Sequence, residues 1–428
     1  MNYYSLNHTS QKTSFKEAVV NGIAPDRGLY FPEKITPLSK VFIDNITNYS
    51  YEEIAFEAIK QFVGDEIPEQ KLKEIIKNTI SFDFPVVKIE ENIGSLELFH
   101  GPTMAFKDVG ARFMSQCLEY FNQDEKEEVT VLVATSGDTG GAVANGFLNA
   151  KGVKVVILYP SGKVSDVQEK QLTTLGNNIT ALEVDGVFDD CQEMVKSAFL
   201  DAEISRKLTS ANSINVARWL PQMFYFFFAY KQAYQLSRDA VFSVPSGNFG
   251  NICAGLMAQK LGLPVKHFIA STNVNDTIPQ YLKNGTYDPK PSKATISNAM
   301  DVGNPSNFIR IQEMFQNNLS ALKETFSSYS FSDEETKSTM KKIYQNAGYV
   351  ADPHGAVGYL GLQKYGLNEN EFGIFLETAH PVKFLEVVED TLEIKVDIPE
   401  QIKQVIDKEK VAIKITSYEE LKAFLNSN

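Results

Sequence analysis

The sequence predicts an α/β protein built on parallel sheets, and three copies of one pattern carry that prediction. Each copy is an apolar, strand-like run, then a Gly-rich or polar turn, then a segment of helical periodicity, the order of a βαβ unit. Val129–Ala134 runs into Thr135-Ser-Gly-Asp-Thr-Gly-Gly141, a helical stretch Ala142–Leu148 and a second strand, Val153–Leu158. Ala240–Val244 runs into Pro245-Ser-Gly-Asn-Phe-Gly-Asn251, a helix and the strand Val265–Ala270. Phe372–Leu376 runs into Glu377-Thr-Ala-His-Pro381 and an apolar-periodic Phe384–Val388. Ligands of open parallel sheets sit beyond the carboxyl ends of the strands, so these turns are where chemistry is expected.

The remaining elements follow from local signals. Ser50-Tyr-Glu-Glu53 is a capping box, Ile54, Ala58 and Phe62 share a helix face, Gly64 ends the run, and a second helix is predicted after Pro68. In Leu98–Arg112 a strand gives way through His100-Gly-Pro102 to a helix predicted to begin at Pro102 and Thr103, which puts Lys107 about one turn in. Leu220–Tyr230 is apolar but interrupted by Pro221 and stopped by Lys231. It is short of the roughly 20 residues a membrane helix needs and reads as a buried helix. Residues 284–307, rich in Asn, Ser, Pro and Gly, read as a long loop, and Ser417-Tyr-Glu-Glu420 opens a last helix. The organisation predicted is a partly helical region 1–85 and an α/β core 86–385, whose smaller part is about 105–210. A C-terminal extension, 386–428, follows.

Composition excludes several classes. With 41 Lys+Arg against 54 Asp+Glu in 428 residues, the net charge of −13 opposes binding to nucleic acid or an anionic membrane. Three widely spaced cysteines, Cys117, Cys191 and Cys253, offer no disulfide framework and point to a reducing, cytoplasmic setting. The stretch Met1–His8 has neither the basic start nor the apolar run of a signal peptide. Five histidines without HExxH spacing or a cysteine partner give no metal site, and no GxSxG elbow marks a hydrolase.

Lys107, beside Met104, Ala105 and Phe106 near a helix start, sits where the positive helix end and apolar neighbours disfavour an ammonium, as a Schiff-base lysine requires. A surface charge paired with Asp108 is the plain alternative. The loops Ser136–Gly141 and Ser246–Asn251 can present backbone N–H groups to an anion, without Walker or GxGxxG spacing. Either alone is equally a tight turn; together they favour a phosphorylated ligand. His354 and His380 lie in Pro- and Gly-flanked turns, as turn formers or as functional groups, and Thr378 is a helix cap or a ligand hydroxyl. Arg218, a fork, and Lys383, a point charge, suit a phosphate or carboxylate, or simply a salt bridge.

Taken in order, His100-Gly-Pro-Thr-Met-Ala-Phe-Lys-Asp108, Ala134-Thr-Ser-Gly-Asp-Thr-Gly140, Pro245–Asn251 and Thr378-Ala-His-Pro381 resemble threonine synthase. The resemblance extends to Ala24–Glu33, Asn212–Arg218, Ser297–Asp301, Gly303–Asn307 and Asp352–Gly355, nearly the whole chain. It implies a fold-type II pyridoxal 5′-phosphate enzyme: two open parallel-sheet α/β domains with the cofactor between them and an N-terminal helical segment. The activity implied is a carbon–oxygen lyase acting on a phosphate, turning O-phospho-L-homoserine and water into L-threonine and phosphate, in threonine biosynthesis. Another lyase of the fold, a threonine or serine dehydratase or a phospholyase, and a non-catalytic binder of phosphometabolites are the alternatives. Carried over residue by residue, Lys107 is the catalytic, cofactor-bearing lysine. Gly247, Asn248, Phe249, Gly250 and Asn251 hold the cofactor phosphate, Thr378 the pyridine nitrogen, and Asp138 lies near the cofactor's 3′-oxygen. His100, Thr103, Ser136, Thr139, Asn215, Arg218 and Lys383 are the substrate contacts expected, in a cytoplasmic monomer or homodimer.

Overall fold

The computed structural model describes residues 1–123 and 128–427. Two compact units emerge, and they do not follow chain order. The first comprises Met1, Phe31–Phe106 and Trp219–Asp397; the second comprises Asn2–Tyr30, Lys107–Arg218 and Ile398–Asn428. Region 1–85 therefore contributes to both units, and the C-terminal stretch belongs largely to the second.

The first unit is built on six strands in the order Phe326–Ser330, Val265–Thr272, Asp239–Pro245, Glu371–Glu377, Ile93–Glu97 and Val86–Glu90. All neighbours are parallel except the hairpin Val86–Glu90 with Ile93–Glu97. Glu371–Glu377 is buried at every position, as a central parallel strand covered on both faces must be. Alternation assigns the covers. Ser243 and Ser271 meet the helix Pro353–Tyr365, where a Cβ on Gly361 would stand 2.0 Å from Ser271 Oγ. Phe242 and Phe268 point to the opposite face and meet Phe226 of the helix Met223–Ala233, at ring-centroid distances of 5.2 and 5.6 Å. That helix is the expected apolar run Leu220–Tyr230, and Met223–Ala229 are all fully buried. Among the described residues no helix is long and apolar enough to cross a membrane.

The second unit carries five parallel strands in the order Ile413–Ile415, Ile179–Val184, Val153–Pro160, Val129–Ala134 and Lys207–Thr209. Cys191 and Val195 of the helix Phe188–Leu200 pack with Leu132, Leu158 and Leu182, and Leu421 and Leu425 of the last helix close the same cluster. The C-terminal extension thus supplies an edge strand and a helix. All three cysteines are free and buried, and burial pushes the thiols of Cys191 and Cys253 up to about 12.

The local signals decode as expected at Ser50. Its hydroxyl accepts from Glu53 N–H at 3.2 Å, Glu53 returns the bond to Ser50 N–H at 2.7 Å, and Gly64 ends the helix at φ 64°. One expectation fails. The helix does not begin at Pro102 but at Lys107, and Met104 adopts a left-handed φ of 58°. The reason is tertiary: Ala105 bridges Ala379, Phe106 N–H donates to the Thr378 carbonyl at 2.8 Å, and His380 N–H donates to the Met104 carbonyl at 3.0 Å. Those bonds hold 104–106 in a non-helical path against the strand end. Lys107 is accordingly the first helical residue, not one turn in.

Truncation of the ring that closes the first core tests its packing. Phe226→Ala is expected to lower stability by about 3–5 kcal/mol, read as an earlier urea midpoint; a loss under 1 kcal/mol would contradict the packing described.

Candidate active site

In the first unit the site is assembled at two adjacent strand ends. Asp239–Pro245 leads into Ser246–Phe249 and the helix Gly250–Lys260, and its neighbour Glu371–Glu377 leads into Thr378. Gly247 is required by close approach: a Cβ there would stand 2.7 Å from Met300 Cα and 2.8 Å from the Ala299 carbonyl. Phe249, 2% exposed, takes a left-handed φ of 60° and turns the chain into the helix. By helix geometry the N–H groups that follow have no intrahelical partner, so this end is disposed toward an anion.

The loop is braced from behind. Ser306 N–H donates to Asn248 Oδ1 at 2.6 Å, Asn307 Nδ2 to the Asn248 carbonyl at 3.1 Å, and Asn251 Nδ2 to the Pro245 carbonyl at 2.9 Å. Asn307 is steadied in turn by Arg310 Nη1 at 2.6 Å, whose guanidinium lies over Trp219. The long loop 284–307 is thus partly a scaffold for the glycine turn. It is pinned by Asp301, which accepts from Asn273 Nδ2 at 2.8 Å and Thr295 N–H at 3.0 Å. Desolvation nevertheless pushes the Asp301 carboxyl up to about 6.

Around Thr378, itself 6% exposed, the remaining first-unit residues gather. Lys383, 1% exposed, donates to the Thr103 carbonyl at 2.9 Å, and Thr103 is buried as well. His100 is not buried: its Nε2 meets Glu97 Oε2 at 2.7 Å near the surface. His380 Nδ1 accepts from Val382 N–H at 3.0 Å, which makes it a turn former, and burial lowers its pKa to about 4.

In the second unit Ser136–Gly141 is shaped by one residue the sequence reading passed over. Thr135 Oγ1 accepts from Gly137 N–H at 3.0 Å and Gly140 N–H at 2.8 Å, and a Cβ on Gly140 would stand 2.5 Å from Thr135 Cγ2. The helix consequently starts at Asp138, earlier than the Ala142 expected. Asp138, 6% exposed, accepts from Gln168 Nε2 at 3.0 Å at the positive end of its own helix. Ser136 and Thr139 stand half-buried beside it. Lys107 is half-buried at the start of Lys107–Asn122.

Asn215 and Arg218 lie deeper. Asn215 Nδ2 donates to the Val19 and Ser210 carbonyls at 2.9 and 3.1 Å while Oδ1 accepts from Ala217 N–H, so its amide ties backbone to backbone. Arg218, 2% exposed, donates from Nη1 to the Ala211 carbonyl. The residues missed by sequence reasoning, Thr135, Gln168 and Asn307, touch the loops from beneath. Only Thr135, directly before Ser136-Gly137, had a visible signal. Among the described residues no cluster of His, Cys, Asp and Glu is arranged for a metal ion.

A family profile described as "Pyridoxal-phosphate dependent enzyme" matches residues 95–372, and profiles for the threonine synthase N terminus and C-terminal region match 2–80 and 355–425. Threonine synthase of Escherichia coli K12 is 46% identical over 410 residues, 95% of each chain. The chain belongs to the threonine synthase family. The threonine synthase of Saccharomyces cerevisiae is 38% identical, over 91% of this chain and 89% of its own. The crystal structure of threonine synthase from Escherichia coli superposes with a TM-score of 0.94 at 44% identity, covering 100% of this chain and 99% of that one. The pyridoxal-phosphate-bound threonine synthase from Brucella melitensis gives 0.94 at 32% identity, with coverage of 99% and 98%. As a member of the threonine synthase family the chain is a pyridoxal-phosphate-dependent lyase of fold type II, an enzyme of threonine biosynthesis.

Two substitutions probe the site's frame. Thr135→Val orphans the Gly137 and Gly140 amides at about 1–3 kcal/mol each, so a lowered melting temperature and faster amide exchange at 136–141 are expected, with Thr135→Ser close to the parent. His380 is neutral when folded, so its contribution to stability is full above its ordinary 6.5 and is lost as pH falls through about 4. His380→Asn should flatten the pH dependence of unfolding in that window. The flattening is partial because His267 is depressed to about 4 as well.

Proposed function

We propose that the enzyme converts O-phospho-L-homoserine and water to L-threonine and phosphate, with Lys107 as its catalytic residue. The observation that carries the reading is the convergence at neighbouring strand ends of the first unit: the glycine turn at 246–251, Thr378, and the segment 104–106 that leads directly into Lys107. The residues fit pyridoxal phosphate chemically. The turn at Gly247–Asn251 is fixed by close contacts and offers helix-start N–H groups to its phosphate. Thr378 offers a hydroxyl, not a carboxylate, to its ring nitrogen. Asp138 faces the polar end of its own helix, where a carboxylate is stabilised.

When bound, pyridoxal phosphate supplies an electron sink for carbanion chemistry next to the amino group. The protein's own work is then limited. Lys107 Nζ tethers the cofactor and moves protons at the substrate's α-carbon. Ser136 and Thr139 hydroxyls and the N–H groups at Asp138 serve the substrate's anionic groups. Lys383, with His100 and Thr103, would supply charge and polarity to its phosphate, and Arg218, whose guanidinium holds the Ala211 carbonyl, is the second basic residue assigned to phosphate binding. Asn215 acts mainly through the backbone it ties, a supporting role. Lys107 Nζ would take the α-proton and then a β-proton as phosphate leaves the γ-carbon, and would return protons to the γ- and α-carbons as the hydroxyl of water adds at the β-carbon. The buried, protonated thiols support a cytoplasmic setting.

Lys107→Ala should cut threonine formation from phosphohomoserine by at least about 100-fold and abolish the borohydride-fixed adduct seen with the parent. Threonine formation by the variant at the parent's rate, or ammonia and an α-keto acid from threonine as the parent's main activity, would sink the assignment.

A further inference from the structure

Behind the glycine turn of the first unit lie two carboxyl groups that the proposed chemistry leaves unused. Asp352 and Glu377 are both fully buried. Asp352 N–H donates to Glu377 Oε1 at 2.6 Å, and Asp352 Oδ1 accepts from both His354 N–H and His354 Nδ1 at 2.6 Å. Asp352 Oδ2 and Glu377 Oε2 remain, each buried with no hydrogen-bond partner among the described residues. A Cβ on residue 355 would stand 1.6 Å from Glu377 Oε2, so Gly355 is what makes room for that oxygen. Two ionised carboxylates left in this way would each carry the full desolvation cost of a buried charge. The two side chains are hydrogen-bond neighbours as well as being joined through the Asp352 N–H, so a single proton held between the carboxyls would relieve both.

The pair connects to the cofactor loop. With Nδ1–H given to Asp352, His354 Nε2 is a lone-pair acceptor, and Ala299 N–H donates to it at 3.2 Å. Ala299 and Met300 are the residues whose backbone meets Gly247. We propose that Glu377 and Asp352 share a single proton and that this acid pair, acting through His354, is a positioning device for the Gly247–Asn251 turn. The inference rests on the assignment of that turn to the cofactor phosphate.

Burial and the fields of Asp352 and Glu97 hold the Glu377 carboxyl well above the usual carboxylate range, in keeping with a retained proton. Other titratable groups face this cluster. Glu97 is paired with His100 at 2.7 Å and accepts from Tyr349 at 3.1 Å; His380 feels Asp352 and Lys383; Asp301 feels His354. A carboxyl with a raised folded pKa contributes its stabilisation below its ordinary value of 4.5, and that contribution is lost as pH rises through the folded pKa. The cofactor loop should loosen in the same direction.

The test is a double-mutant cycle on the full chain, stripped and reloaded with pyridoxal phosphate, reading cofactor dissociation constant and apo-protein melting temperature. Glu377→Gln can donate to Asp352, and Asp352→Asn can donate to Glu377, so each single variant should stay within about threefold of the parent. In the double variant two amide NH₂ groups meet, and affinity should fall at least about tenfold beyond the product of the single effects. A double variant that binds more tightly than the parent would mean two ionised carboxylates and overturn the shared proton. A double variant with a lowered melting temperature but unchanged cofactor affinity would overturn the link to the loop. Should the double variant not fold, pH decides: parent affinity should weaken with rising pH more steeply than that of Glu377→Gln, and parallel profiles would overturn the proposal. Gly247→Ala is the control and should weaken cofactor binding in folded protein; unchanged affinity there would overturn the loop assignment itself and with it this inference.

Discussion

The chemistry of the first unit depends on how the backbone is satisfied where the central strand Glu371–Glu377 leaves its sheet. Beyond a strand end the N–H and C=O groups lose their ladder partners and must find others. Here the chain 98–106 provides them: Leu98 N–H reaches the Glu377 carbonyl at 3.0 Å, Phe106 N–H the Thr378 carbonyl, and His380 N–H the Met104 carbonyl. That requirement outweighs the helix-forming preference of the residues after Pro102. It keeps the chain out of a helix, fixes Met104 in a left-handed conformation and delays the helix to Lys107. Tyr225, from the aromatic helix, donates to the Phe106 carbonyl and finishes the same seam. The lysine's position is thus a consequence of strand-end hydrogen bonding more than of helix propensity.

Much of this was legible in advance, for physical reasons that differ by element. The strands at 129–134, 153–160, 239–245, 265–272 and 371–377 announced themselves because doubly covered parallel strands need unbroken apolar runs. Ser50 and Gly64 announced a helix because caps act over four residues. The start at Lys107 was not legible, since the bonds that delay it come from residues more than 270 positions away in sequence. The support beneath the loops was hidden for the same reason: Gln168 on Asp138, Asn307 on Asn248 and Asp352 on Glu377 are pairings with no local signature. Glu377 is the clearest case. A carboxylate closing an apolar strand looks like a surface residue until its neighbours are known.

The interior holds more charge than the acidic surface suggests. Arg218, Arg310, Lys383, Asp108, Asp138, Asp352, Glu371 and Glu377 are all nearly or fully buried. Each such group must be paired, hydrogen-bonded or neutralised. The structure uses all three routes: Arg310 on Asn307 and Trp219, Lys383 on a carbonyl, and Glu377 through its proton. A net charge of −13 therefore says little about the site. Anion recognition by backbone N–H groups and a few sequestered cations is compatible with a surface that repels polyanions.

The second unit is threaded from three separate stretches, and its edge strand Ile413–Ile415 pairs with Ile179–Val184 from far up the chain. A ribosome delivers that strand only after every residue of the first unit has been made. Until then the 179–184 edge stands open, with unpaired N–H and C=O groups able to template pairing with a neighbouring nascent chain. Pairing with Ile413–Ile415 gives the 179–184 strand its second neighbour and takes those ladder groups out of reach of another chain.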